Sequence, residues 1–289
     1  YLQACIKEAF RLHPPVPLLL PHMAMVASSP EAAMQVLKTK DHLLSSRVVP
    51  TSVKHAHLLP HSLMWSECNQ TWKTLRTLCR TELFSSKALE AQSRLRKEKI
   101  SQMLHFLLKK QGEVVNIEEV IFTTLFNTLS SIILGKDLLV LNDEHGAQDG
   151  LKDLIRRILE LSGSTFDLAS FYPMLGRFDL HGISRESMKL FEKLFSYWED
   201  IIEERRAQVN SSAWSSNQAH SFLDRLLENR FSNNQINQLL AVRIVYTRNK
   251  HYNLYRRRMC PGLPSGVVSV ELILASLIHE FNWALPNDK

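Results

Sequence analysis

Cysteine is scarce in this 289-residue chain: Cys5, Cys68, Cys79 and Cys260 are the only four, and no short regular spacing links them. That pattern supports neither a disulfide framework nor a zinc site, and a reducing compartment suits it best. Nine glycines and eleven prolines are modest counts, and glycine is missing altogether between Gly182 and Gly262. No apolar run reaches the roughly 18 residues that read as a membrane span. The longest candidates, Ile121–Leu134 and Val267–Leu277, are broken by Asn, Ser, Thr or Glu. No secretory signal, internal repeat or low-complexity tract is visible. The basic residues come without an aromatic-rich motif, which argues against nucleic acid as a partner.

What is there is an ordinary globular composition, 45% hydrophobic and 22% charged. The length suffices for one large domain or two small ones, with a substantial core. The formal net charge of +6 is not gathered in one tail. Such a surface is either simply solvated or suited to acidic partners, such as an electron-donor protein or anionic lipid headgroups.

Periodicity predicts a mainly α chain. Residues 1–12 read as a helix that stops at His13-Pro14-Pro15-Val16-Pro17, because proline removes donors and bars helical geometry before it. An extended stretch, Val16–Val26, follows. Ser29 caps a helix to about Thr39, with Pro30 in its first turn. Residues 43–62 read as loop. Helices are predicted over 65–83, 86–110, 116–134, 146–162, 184–208, 221–229 and from 233, and an apolar one over 267–279. The apolar character of 116–134 places it at a buried centre. Phe171–Gly182 reads as loop and Asn210–Gln218 as polar linker, while Ala241–Lys250 fits no template. The chain opens at Tyr1 inside a helix, which points to a fragment.

Three groups of residues could carry chemistry. Cys260 lies in Arg256-Arg257-Arg258-Met259-Cys260-Pro261-Gly262, just before the apolar helix. A helix N-terminus and nearby arginines both favour a thiolate, and Gly262 would let the backbone approach a flat cofactor. A free packing cysteine beside a basic loop is the plainer alternative. Glu8 and Arg11 share a helix face and can pair, as many surface pairs do to little effect. Trp72 and Arg76 also share a face. The arginine could hold a carboxylate beside the ring, or form a surface cation–π pair.

Taken together, these segments resemble one family. YLQACIKEAFRLHPPVPLLLPH resembles the Glu-x-x-Arg helix of cytochrome P450 enzymes with its proline-rich exit. TWKTLRTLCRTELFSSKALE resembles their Trp-x-x-x-Arg helix, and RRMCPGLP with its apolar helix resembles their haem-binding loop. VASSPEAAMQVLKTKDHLLSSR resembles their early strand and helix. The wording is that of plant microsomal members, and within them of hydroxylases of benzylisoquinoline alkaloid pathways. The resemblance covers residues 1–240 and 256–289.

The resemblance implies a mainly α, incomplete cytochrome P450-like domain with its segments in a non-standard order. Residues 1–22 would be the Glu-x-x-Arg segment, 23–240 the family's N-terminal helical part, and 256–289 the cysteine loop and following helix. Haem is the implied cofactor, with Cys260 as the thiolate ligand to its iron, which in this family favours O–O cleavage. Trp72, Arg76 and Arg258 match propionate partners, and Gly262 matches the glycine two residues after the cysteine. Glu8 and Arg11 match the structural pair that secures the proximal face. The implied activity hydroxylates or oxidatively couples a small apolar or alkaloid-like metabolite, using O2. Electrons would come from NADPH through a flavoprotein, NADPH-cytochrome P450 reductase. The implied place is the cytosolic face of the endoplasmic reticulum membrane, or the cytosol, because no transmembrane anchor is expected in this chain.

The sequence also departs from the family. The Glu-x-x-Arg helix stands first, ahead of segments it normally follows, with the join near Pro21–Val26; a circular permutation or a misassembled gene would each give this order. The Gly-x-Asp/Glu-Thr motif that organises proton delivery on the family's central helix cannot lie between Gly182 and Gly262. FSNNQINQLL reads as the approach to that helix, and AVRIVYTRNK then takes over. The Pro-Glu-Arg-Phe segment is absent, Asn253 stands in place of Phe, and Arg256 in place of Gly. No catalytic residue is therefore assigned. The alternative function is a non-catalytic haem binder or a helical remnant, with unpartnered apolar surface and marginal stability or aggregation.

Overall fold

The structure, a computed structural model, describes residues 5, 8, 28–46, 49, 61–141, 149–163, 179, 182–210, 221–241 and 260–284. Every regular element among them is helical. The extended stretch after residue 16, the polar linker, most of the Phe171–Gly182 loop and the segment after Ala241 lie outside the described residues.

Helix α1 (Pro30–Met34) starts at Ser29, whose hydroxyl accepts the Ala32 N–H at 3.1 Å. It runs on as one π-helical turn, Gln35–Thr39, closed by Lys40 N–H to the Gln35 carbonyl (2.8 Å). Helix α2 spans Gln70–Phe84, not 65–83 as predicted. The Asn69 side chain takes the Trp72 N–H at 2.8 Å and fixes the start. Trp65 belongs instead to a separate turn, in which Ser62 Oγ accepts from the Met64 and Trp65 amides. The long helix predicted over 86–110 divides into α3 (Ser86–Ala91) and α4 (Ser93–Lys109). The side chain of Gln92, at the division, donates to the Leu83 carbonyl (3.2 Å).

Helix α5 (Ile117–Leu134) starts at Asn116, which accepts the Glu119 N–H, and carries Glu118 and Glu119 in its first turn. It ends at Gly135, whose φ of 78° is the left-handed cap conformation that favours glycine. Then come α6 (Asp149–Gly163), α7 (Ile183–Asn210), α8 (Phe222–Glu228) and α9 (Asn233–Leu240). Ser221 and Ser232 each form a capping box, with Asp224 and Gln235 as the reciprocal partners. Helix α10 (Leu263–Glu280) begins earlier than predicted, with Pro264 in its first turn, where a missing N–H loses nothing.

Two helices among the described residues, α5 and α10, are long and apolar enough to cross a membrane by length and composition alone, a test that the core helix of a soluble protein also passes. Their polar residues do not interrupt helix or apolarity. Thr124 and Thr128 turn their hydroxyls onto carbonyls one turn back, at 2.8 and 2.7 Å. Half of α5 is buried, as expected of a central helix, but only 17% of α10 is.

The apolar side chains form two clusters that meet at α5. The larger joins α2, α5, α6, α7, α8 and α9 around Phe191, Trp198, Leu223 and Ile236. The smaller joins α4 (Ile100, Met103, Leu107), Val120 of α5, and α10 (Ile273, Leu277). Burying each such aliphatic side chain contributes about 1.5–3 kcal/mol. The helix that follows Cys260 is thereby fastened to the α4–α5 pair.

Candidate functional site

The candidate site is built from α2 and the loop that leads into α10. On α2, Trp72 and Arg76 are one helical turn apart. Trp72 is 5% exposed, and its indole N–H donates to the Leu63 carbonyl at 3.0 Å. The Arg76 guanidinium carbon lies 5.2 Å from the centre of the Trp72 ring, a cation–π distance. Arg76 is half-buried. The tryptophan thus has a structural use, bracing the turn before α2 and carrying the arginine on its face.

Cys260 is exposed. Its carbonyl accepts the Leu263 N–H (3.3 Å), which closes a tight turn into α10, and the Gly262 carbonyl accepts the Gly266 N–H (3.0 Å). Gly262 has φ −85° and ψ 1°, a conformation open to any residue. What confines it is space: a Cβ there would lie 3.0 Å and 3.1 Å from two ring carbons of Phe84. Phe84 is the last residue of α2. The cysteine loop and the Trp72–Arg76 pair are therefore attached to one helix.

Glu8 has helical backbone and is exposed; Arg11 and Arg258 lie outside the described residues. No group of three or more His, Cys, Asp or Glu suited to a metal ion occurs among the described residues. The donor set is that of a single thiol with a cation on a neighbouring element. One accessible thiol on a loop packed against α2 through Gly262 and Phe84 is a donor set that could serve a metal cofactor needing a single sulfur ligand. Two residues at the site had no signal in the sequence pattern. Phe84 reads as an ordinary apolar helix end, and Leu63 takes part only through its backbone.

The structure also contains two charged clusters away from this site. Lys99 of α4, with its side chain 8% exposed, donates to Asp137 at 2.6 Å. Arg205 of α7 holds Asp224 of α8 through two hydrogen bonds, 2.6 and 3.0 Å. The first ties α4 to the segment that follows α5, and the second ties α7 to α8.

A family model described as Cytochrome P450 matches residues 1–27 and 22–246. Corytuberine synthase of Coptis japonica is 34% identical over 279 residues, 96% of this chain and 53% of that protein. (S)-N-methylcoclaurine 3'-hydroxylase isozyme 1 of Eschscholzia californica is 38% identical over 75% of this chain and 44% of its own length. Berbamunine synthase of Berberis stolonifera is 34% identical, again over 75% of this chain. The chain spans about half the length of the curated relatives it matches.

Proposed function

The chain belongs to the cytochrome P450 family, and on that premise we propose that it is a haem-thiolate monooxygenase unit acting on a small alkaloid-like metabolite. The observation that carries the reading is the accessible Cys260 thiol, at the head of α10 and anchored through Gly262 to the helix bearing Arg76. Relatives named as a hydroxylase and as synthases of benzylisoquinoline alkaloids supply the substrate class.

Cys260 would supply the thiolate ligand to the haem iron. Arg76 and Arg258 would pair with the carboxylates of the cofactor, with Trp72 holding Arg76 in place from its face. Gly262 would keep the loop close to α2. Glu8 and Arg11 would be the pair that secures the proximal side. Haem held by these residues would supply the dioxygen chemistry by which this family hydroxylates or oxidatively couples its substrates. Electrons would come from NADPH by way of a flavoprotein reductase, drawn to a chain of net charge +6. Association with the cytosolic face of the endoplasmic reticulum membrane is part of the same reading.

A second reading, a haem binder without turnover, is favoured by one observation. Helix α9 ends at Leu240, and no glycine follows before Gly262, so the proton-delivery motif of the family has no place there. A reduced carbon monoxide difference spectrum of the haem-supplied chain separates the outcomes. A strongly red-shifted Soret band that Cys260→Ser abolishes is expected, and its absence in the unaltered chain would end the thiolate reading. Product formation with a reductase present would then exclude the second reading.

A further inference from the structure

We propose that Phe84 is the positioning residue for Cys260: its ring fills the space beside Gly262 and so sets where the thiol-bearing loop sits on α2. The inference rests on the reading of Cys260 as the iron ligand and adds a residue to that reading.

Glycine at position 262 is not demanded by the backbone, since φ −85° and ψ 1° suit any residue. It is favoured by the Phe84 ring, since a Cβ would lie 3.0 and 3.1 Å from two of its carbons, tighter than ordinary contact, so that ring or loop must shift to admit it. That ring is itself well held. Phe84 packs against the larger apolar cluster, Leu83 beside it is 3% exposed, and Ser85 caps α3 by accepting the Ala88 N–H at 3.2 Å. A shift of Gly262 must move Cys260, because the turn between them is closed by the Leu263 N–H on the Cys260 carbonyl. Phe84 lies two turns beyond Arg76, about 12 Å further along the axis by helical rise. Helix α2 therefore acts as a ruler, with the cation at one level and the thiol loop docked at its end.

The test is a double-mutant cycle, read on the haem-free chain as the rate at which iodoacetamide alkylates Cys260, followed by peptide mass spectrometry. Gly262→Ala forces the loop off the ring and is expected to change the rate about tenfold, as overpacking at a tight contact does. Phe84→Leu alone is expected to change it less. The pair F84L/G262A should recover most of the wild-type rate, since the smaller side chain makes room for the added methyl. The haem-loaded chain should follow the same order in the amplitude of its thiolate-type carbon monoxide spectrum. Additive effects, or an unchanged rate in G262A, would overturn the proposal and leave Gly262 to serve the cofactor alone. If G262A does not fold, recovery of a cooperative circular-dichroism melt in F84L/G262A decides the same question. A wild-type chain without a thiolate-type spectrum removes the iron-ligand reading, and the alkylation cycle still decides the Phe84 contact.

Discussion

Asn127 shows how much one buried side chain can organise. It is 6% exposed, accepts the N–H groups of Leu138 and Leu139 at 3.3 and 3.0 Å, and donates to the Leu139 carbonyl at 2.7 Å. It folds the chain after Gly135 back onto α5. Asn127→Leu would leave those backbone groups buried without partners, at a cost of about 3 kcal/mol; the shift of the urea midpoint measures it. Asp224 makes a charge argument of the same kind. Burial pushes its carboxyl upward, but hydrogen bonds from Arg205 and the Ser221 backbone outweigh this and hold it below the ordinary carboxylate value. The folded value thus lies below the unfolded one. The stability it brings is complete above the unfolded carboxylate range and is lost as pH falls through the folded value. Asp224→Asn should destabilise at neutral pH by about 3 kcal/mol, since it uncouples a buried pair. Its gap from wild type should close on acidification, and a gap constant with pH would refute the assignment.

At the scale of the element, α10 is the informative case. It is fastened by a single stripe, Ser269, Ile273 and Leu277, while the Trp283 indole N–H on the Leu277 carbonyl (3.1 Å) closes its own C-terminal end. Helix α7, by contrast, buries Phe191, Leu194, Trp198 and Ile202 in the larger cluster. Truncation of a core residue costs about 2–5 kcal/mol, and the smaller cluster has few residues to share that loss. Leu277→Ala should therefore release α10 before the rest unfolds. In hydrogen exchange, α10 amides should lose protection while α7 amides keep theirs; equal loss in both would mean that the two clusters unfold together.

At the scale of the whole molecule, the described residues leave several large apolar side chains exposed around α10. Leu263, Val267, Val268, Ile278 and Trp283 are each exposed by a third or more, on and just after α10. Exposed apolar side chains gathered on one element favour association in water. The chain is expected to aggregate with rising concentration, and Val267→Glu with Ile278→Glu should reduce it, as light scattering across a dilution series will show. Neither residue belongs to the buried stripe, so the thermal midpoint should stay within about 0.5 kcal/mol equivalent of wild type.

Much of the helical order is legible in the residues alone. Ser29, Asn116 and Ser221 are local caps, and the apolar period of α5 and α7 needs no partner to be seen. The Trp72–Arg76 pair is legible too, because a spacing of four on a helix makes neighbours whatever the fold. The start of α2 is not, since Trp65 continues the apolar pattern and only the Asn69 side chain, bound to Trp72 N–H, decides the boundary. Nor can sequence choose between the two uses of Gly262, because Phe84 is remote along the chain and only packing brings its ring to that position. Local spacing and caps determined most of the helices, while the family, and Cys260 as its candidate thiolate, came from the resemblance of whole segments. Tertiary packing decided which helix the Cys260 loop meets and which ring stands beside Gly262, because steric exclusion acts between residues that no periodicity connects.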